Sequence, residues 1–237
     1  FDNTALVQAT DDIDISADTS ITVDGAMTAT DALSLSSEGE VEINQALNAV
    51  DITVESTDAD LDINNTVTGT DAVTLLAADG IDSASAVTAT NGVLFVSADT
   101  DGDDTGNLGA TADLQGGDVV INAYNVNTDG ITATTDDVTI TAGAALDATN
   151  GTNTALISSA NGVTATAGTS MQVDQINSTS GNITLTAGTT FVSNNSLNAG
   201  AGTISVNSND QLSTVGTVSA DDVILNSNDA DLDIDNT

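Results

Sequence analysis

DDIDISADTSITVDGAMTAT, residues 11–30, is followed directly by DALSLSSEGEVEINQALNAV (31–50), DITVESTDADLDINNTVTGT (51–70) and DAVTLLAADGIDSASAVTAT (71–90). Each block opens on Asp. A short alternating apolar–polar stretch follows, then a polar turn, a second alternating stretch and a third apolar position near the end. The pattern returns as NGVTATAGTSMQVDQINSTS (161–180), GNITLTAGTTFVSNNSLNAG (181–200) and AGTISVNSNDQLSTVGTVSA (201–220). Stacking the blocks sets Ile13, Leu33, Val73, Val163 and Ile183 in one file and Ile15, Leu35, Leu75 and Leu185 in a second. Ile21, Val41, Leu61, Ile81 and Met171 form a third file, Val23, Ile43, Ile63 and Val173 a fourth, and Met27, Leu47, Val67, Val87 and Leu197 a fifth.

Alternation of period two marks strands with one face buried. No long window carries the three-and-four spacing of an amphipathic helix. A fixed period near twenty makes each block one coil of a solenoid, its apolar face covered by the coils above and below. The expected fold is all-β: a single-stranded parallel β-helix (β-solenoid) of about twelve coils of ~20 residues, with no end caps. At about 4.8 Å per coil it is a rod roughly 55–60 Å long. One continuous segment is expected over 1–237, with longer loops near 99–116 and 147–155 where the register slips.

Composition agrees with a narrow core. Of the 237 residues, 39% are hydrophobic and only 2% aromatic, so the core is filled by Ala, Val, Ile and Leu. There is no Lys, Arg, His, Cys or Pro, and the formal net charge is −36. Nucleic acid is excluded as a partner, since phosphate binding needs cationic side chains. No apolar run approaches a membrane span, so membrane insertion is not expected. Without His, Cys and Lys the usual nucleophile–base pairs cannot be assembled, and no enzymatic activity is expected.

GNITLTAGTTF (181–191) and DDVTITAGAALDA (136–148), set in coils of about twenty residues, resemble the repeats of filamentous-haemagglutinin-like exoproteins and related giant bacterial surface adhesins. The resemblance implies a right-handed β-helix in a secreted or cell-surface protein that serves as a structural fibre or adhesin. The secretion region that begins such exoproteins is not visible here, and a complete lack of Lys and Arg goes beyond the family's pattern.

Stacked coils predict columns of like charge: Asp18–Glu38–Asp58, Glu40–Asp60 and Glu42–Asp62–Asp82. One reading is a solvated outer face screened by salt. The other is Ca2+ bridging, because hard cations take several carboxylate oxygens. On the second reading the metal residues are Glu42, Asp62 and Asp82, together with Asp99, Asp101, Asp103 and Asp104 of the run DTDGDD. A calcium-dependent module for cell-surface carbohydrate is then the alternative function. The TxT triplets at 28–30, 68–70, 88–90 and 132–134 resemble the Thr rows of ice-binding solenoids, a weaker alternative that NAV (48–50) and NAG (198–200) interrupt. The boundary residues Asp11, Asp31, Asp51, Asp71 and Asn91 read as turn chemistry. Sequons stand at Asn64, Asn150, Asn177, Asn182 and Asn194. Finally, Phe1-Asp2-Asn3-Thr4 matches Ile234-Asp235-Asn236-Thr237, which predicts a self partner: head-to-tail stacking or tandem continuation of the same coils.

Overall fold

The computed structural model describes residues 1–235, and all regular structure among them is β-strand. Three parallel sheets of 12, 11 and 11 strands run the length of the molecule, and every third strand of the chain returns to the same sheet. The chain is a right-handed β-solenoid of about 12 turns.

The apolar files explain this arrangement. In the first sheet Ile21, Val41, Leu61, Ile81 and Leu108 lie side by side in register, and the file goes on through Val126, Leu146, Met171, Phe191 and Leu212. The second sheet stacks Val7, Met27, Leu47, Val67 and Val87 in the same way. In the third sheet Ile13, Leu33, Ile52, Val73 and Leu94 form one file, and Ile15, Leu35, Val54, Leu75 and Val96 form its companion. Nearly all of these side chains are buried from Ile21 onward, where each coil is covered on both sides. A parallel ladder pairs identical register positions, so a period-twenty sequence delivers one residue type to one file.

The period is not rigid. Ile52 lies beside Leu33 and Val73, one residue earlier than the block boundaries imply. Longer steps occur where Leu94 faces Val119, and again where Val138 faces Val163, yet the files continue across both. Within 99–116 the long irregular stretch is 99–106, and a three-residue corner at 111–113 separates the strands Asn107–Ala110 and Leu114–Gly116. Around 147–155, strand Leu146–Ala148 precedes an irregular stretch at 149–155. At the corner between the third and first sheets, Gly143, Gly168 and Gly188 stack on one another. A Cβ on Gly188 would strike the Gly168 carbonyl oxygen, and one on Gly168 would strike that of Gly143.

The match between the two ends is corrected by the register. Asp2 pairs with Thr22 and Asn3 with Val23, while Ser213 pairs with Asp233 and Thr214 with Ile234. Asp2 and Asn3 are therefore equivalent to Asp233 and Ile234, two residues away from the DNT alignment. Asn3 occupies the inward file, buried, its amide donating to the Gly25 carbonyl at 2.7 Å. A polar residue in an apolar file is what string matching misses. Asn236 and Thr237 lie outside the described residues.

Candidate functional site

Glu42, Asp62 and Asp82 lie on adjacent strands in direct register on the outer face of the first sheet. One strand spacing separates neighbours, so the first and third are about 9–10 Å apart. They form a ladder rather than one coordination shell. Gly109 follows Asp82 in the file and ends it. The Asp62 carboxyl is held above its ordinary range, first by partial burial and then by Glu40, Asp82 and Asp60, with a hydrogen bond to Glu40 adding to the effect.

The loop at 99–106 gathers carboxylates more tightly. Oxygens of Asp99, Asp101 and Asp103 lie within 4.8 Å of one another. Asp99, Gly102 and Asp104 have φ of 69°, 73° and 66°, which folds the run back on itself. The Asp104 amide donates to Asp99 Oδ1 at 3.2 Å, and the Thr105 amide donates to Asp103 Oδ1 at 3.0 Å. Asp104 thus contributes its backbone to the loop, and its carboxylate stands outside the gathered set. Beneath the loop, Asp79 has its carboxyl raised by lost hydration and by Asp60, Asp103 and Asp101. A second cluster, Asp11, Asp12 and Asp31, lies on an exposed corner. There the Asp11 carbonyl accepts from the Thr30 and Asp31 amides, and Asp12 Oδ1 accepts from the Ala32 amide. Asp51, Asp137 and Asn182 repeat that side-chain cap on Ala72, Gly162 and Thr203.

The TxT triplets do not present two outer Thr files. Thr28, Thr68 and Thr88 are outward strand residues, whereas Thr30, Thr70 and Thr134 turn back to donate to the carbonyls of Ala9, Ala49 and Gly116. The sequon amides are likewise engaged between coils. Asn64 donates to Asn44, which donates to Asp24; Asn194 donates to Asp174, and Asn177 accepts from Asn198. Asn150 organises its own loop by accepting from the Thr152 and Thr154 amides.

Sequence reasoning missed Asp174. It is fully buried, and its carboxylate accepts from the amides of Asn150 and Ala155 and from the side chain of Asn194. The available signal was an Asp following the inward Val173, at the corner position that Asp24 and Asn44 occupy in other coils. Open concavities are shallow; one of about 370 Å3 lies over Asp82, Gly109 and Asn127, where the acidic file gives way to Gly.

Asp118 is also raised, by burial and then by Asp136 and Asp137, against opposing hydrogen bonds from the Val119 and Asp137 amides. Asp62, Asp79 and Asp118 therefore hold a proton more firmly folded than unfolded. Between their raised values and the ordinary 3.8 the folded chain carries more protons, so stability rises as pH falls through that window. The melting temperature of dilute protein is expected to rise as pH is lowered toward the ordinary carboxylate value, with the rise shrinking in concentrated salt. A lower melting temperature at the acidic pH would contradict this assignment.

No family model, curated protein or solved structure matches the chain. What the fold defines is the class: a parallel β-solenoid repeat protein, with like charges stacked along its corners and faces.

Proposed function

We propose that this chain is a structural segment of an extracellular surface fibre or adhesin, and that its work is to extend and space what lies beyond it. The observation that carries this reading is the continuity of the apolar files to both end coils. All three sheets and the buried files between them run coil upon coil with no other element interrupting them among the described residues, which is the build of a spacer rather than of a pocket. Acidic flanks without any cation keep rods from associating sideways while end coils pair.

Electron microscopy of the native fibre is expected to show coil spacing of about 4.8 Å running unbroken along its length. Short monodisperse particles with a cap packed on an end coil would defeat the rod reading.

A second reading is calcium-dependent adhesion to cell-surface carbohydrate, favoured by the gathered oxygens of Asp99, Asp101 and Asp103. It expects millimolar Ca2+ to raise the melting temperature over EDTA by binding the folded state. The gain should fall mainly in the N-terminal half, which holds 24 of the 36 acids, and should vanish in Asp101→Asn/Asp103→Asn. Identical curves in both conditions would return these acids to the solvated-face reading.

A further inference from the structure

The outer face of the third sheet carries an uncharged strip on an otherwise acidic rod. Along one outer file Thr74, Phe95, Val120, Thr139, Thr164 and Thr184 lie side by side in register. Along the other lie Leu76, Ser97, Asn122, Thr141, Thr166 and Thr186. No carboxylate stands in either run. The strip spans six strands, about 24 Å along the rod axis. Towards its C-terminal end the neutrality encircles the rod: between Asp147 and Asp210 the sole acid is Asp174, which is fully buried.

The strip has two halves of different chemistry. Phe95, Val120 and Leu76 are half-buried outward residues that form an apolar platform. Phe95 is the only aromatic residue on an outer sheet face: Phe191 is in the core, Phe1 belongs to the end coil and Tyr124 sits at a corner. Beyond the platform stand three in-register pairs, Thr139/Thr141, Thr164/Thr166 and Thr184/Thr186. Their hydroxyls make no hydrogen bond within the described residues, unlike the corner threonines. They repeat about every 4.8 Å across the strands and about 6.7 Å along them, each able to donate and accept.

We propose that this strip is a docking surface for an uncharged polysaccharide chain lying along the rod, one sugar face on the Phe95 ring and its hydroxyls on the threonine pairs. The inference depends neither on the rod reading nor on calcium. Charge selects this occupant. An anionic polymer is repelled by the acids around the strip, and a cationic one is drawn to the acidic corners instead. A second copy fits poorly, because face-to-face packing sets Asp118, Asp136, Asp137 and the loop at 99–106 of two anionic chains against one another. The strip also offers only a few hundred Å2, below the roughly 800 Å2 per partner of a stable protein interface. A narrow neutral chain avoids both penalties.

The test is affinity electrophoresis in native gels containing EDTA and, in turn, a mixed-linkage β-glucan, a xyloglucan or a galactomannan. At least one polymer is expected to retard the chain. Phe95→Ala and Thr164→Asp/Thr166→Asp should each weaken retardation about tenfold or more, while Thr68→Asp on the second sheet leaves it unchanged. All these sites face outward, and unchanged melting curves confirm that the variants fold. No retardation by any of the three polymers overturns the proposal, as does retardation that survives Phe95→Ala. Concentration-dependent dimers lost in the same variants would give the strip to a second copy, and shaping of ice crystals would give it to ordered water; either result replaces the polysaccharide.

Discussion

Replacing Asp174 by Ala is expected to cost about 3 kcal/mol and to loosen residues 149–155 before any other part of the rod. The estimate follows from what the carboxylate holds. Oδ2 accepts from the Asn150 and Ala155 amides at 3.3 and 3.2 Å, and Oδ1 accepts from the Asn194 side chain at 2.9 Å. Ala155 and Asp174 are buried, so deleting the acceptor strands a donor that water cannot readily reach. Each lost charge-assisted bond is worth about 1.5–3 kcal/mol, and part is recovered as the loop opens to solvent. Asp174→Asn behaves differently. Its amide oxygen can take the two backbone donors, and its NH2 can meet Asn194 once that side chain flips to present oxygen. The pair then becomes one more step of the amide ladder already seen at Asn44 and Asn64. A loss within about 1 kcal/mol is expected for Asn, because the number of hydrogen bonds is preserved. Denaturant titration gives both values, and hydrogen exchange at 149–155 locates the opening. Equal damage from Ala and Asn would mean that the buried charge itself, rather than its acceptor geometry, holds the corner.

Asp174 also marks the boundary of what the sequence made legible. Files such as Ile21–Val41–Leu61–Ile81 could be read from periodicity alone, because an apolar residue at a fixed phase has one reason to be there. The same logic placed Glu42, Asp62 and Asp82 in one column, since an outward residue inherits the register of its inward neighbours. It broke down for residues whose role depends on the third dimension. Asn3 occupies an apolar file because its side chain donates to the Gly25 carbonyl and accepts from the Ala5 amide, so matching letters at the two ends gave a register two residues off. The TxT triplets looked like paired outer rows, but the second Thr lies past the strand, where its hydroxyl caps a carbonyl of the preceding coil. The pairs that do present two outer files lie in VTITA, VTATA and ITLTA. There alternation continues for the full five-residue strand instead of stopping at a corner. Strand length was the missing variable, and twenty-residue spacing says nothing about it. The gathering of Asp99, Asp101 and Asp103 without Asp104 likewise depends on the φ of single loop residues, which composition does not encode.

Phe191→Ala is expected to cost about 3–5 kcal/mol, the range for emptying a large buried aromatic site. The loss should fall on one end of the rod. Phe191 is the bulkiest of the fully buried side chains and sits between Met171 and Leu212 in the first-sheet file. In a globular core the cavity would be shared by neighbours from many parts of the chain. In a solenoid each coil touches only the next, so the damage is confined to the contacts that Phe191 makes with two adjacent coils. That region is weakened already, because the buried hydroxyls of Ser193 and Thr214, paired across the same two strands, have no hydrogen-bond partner. Few coils lie on the C-terminal side, and their file residues Val223, Leu232 and Ile234 are exposed where Phe191 and Leu212 are buried. Releasing those coils then costs less than melting the whole rod, since only one damaged interface and a partly exposed end are given up. Amides of Leu212–Val215 and Leu232–Asp235 are expected to exchange much faster in the variant, while those of Leu61–Ile63 keep their protection. Phe191→Leu, which keeps most of the volume, should leave the pattern near that of the parent chain. A uniform acceleration from Ile21 to Leu232 would show that the coils unfold as a single unit, and that nearest-neighbour stacking is not what sets the stability of this rod.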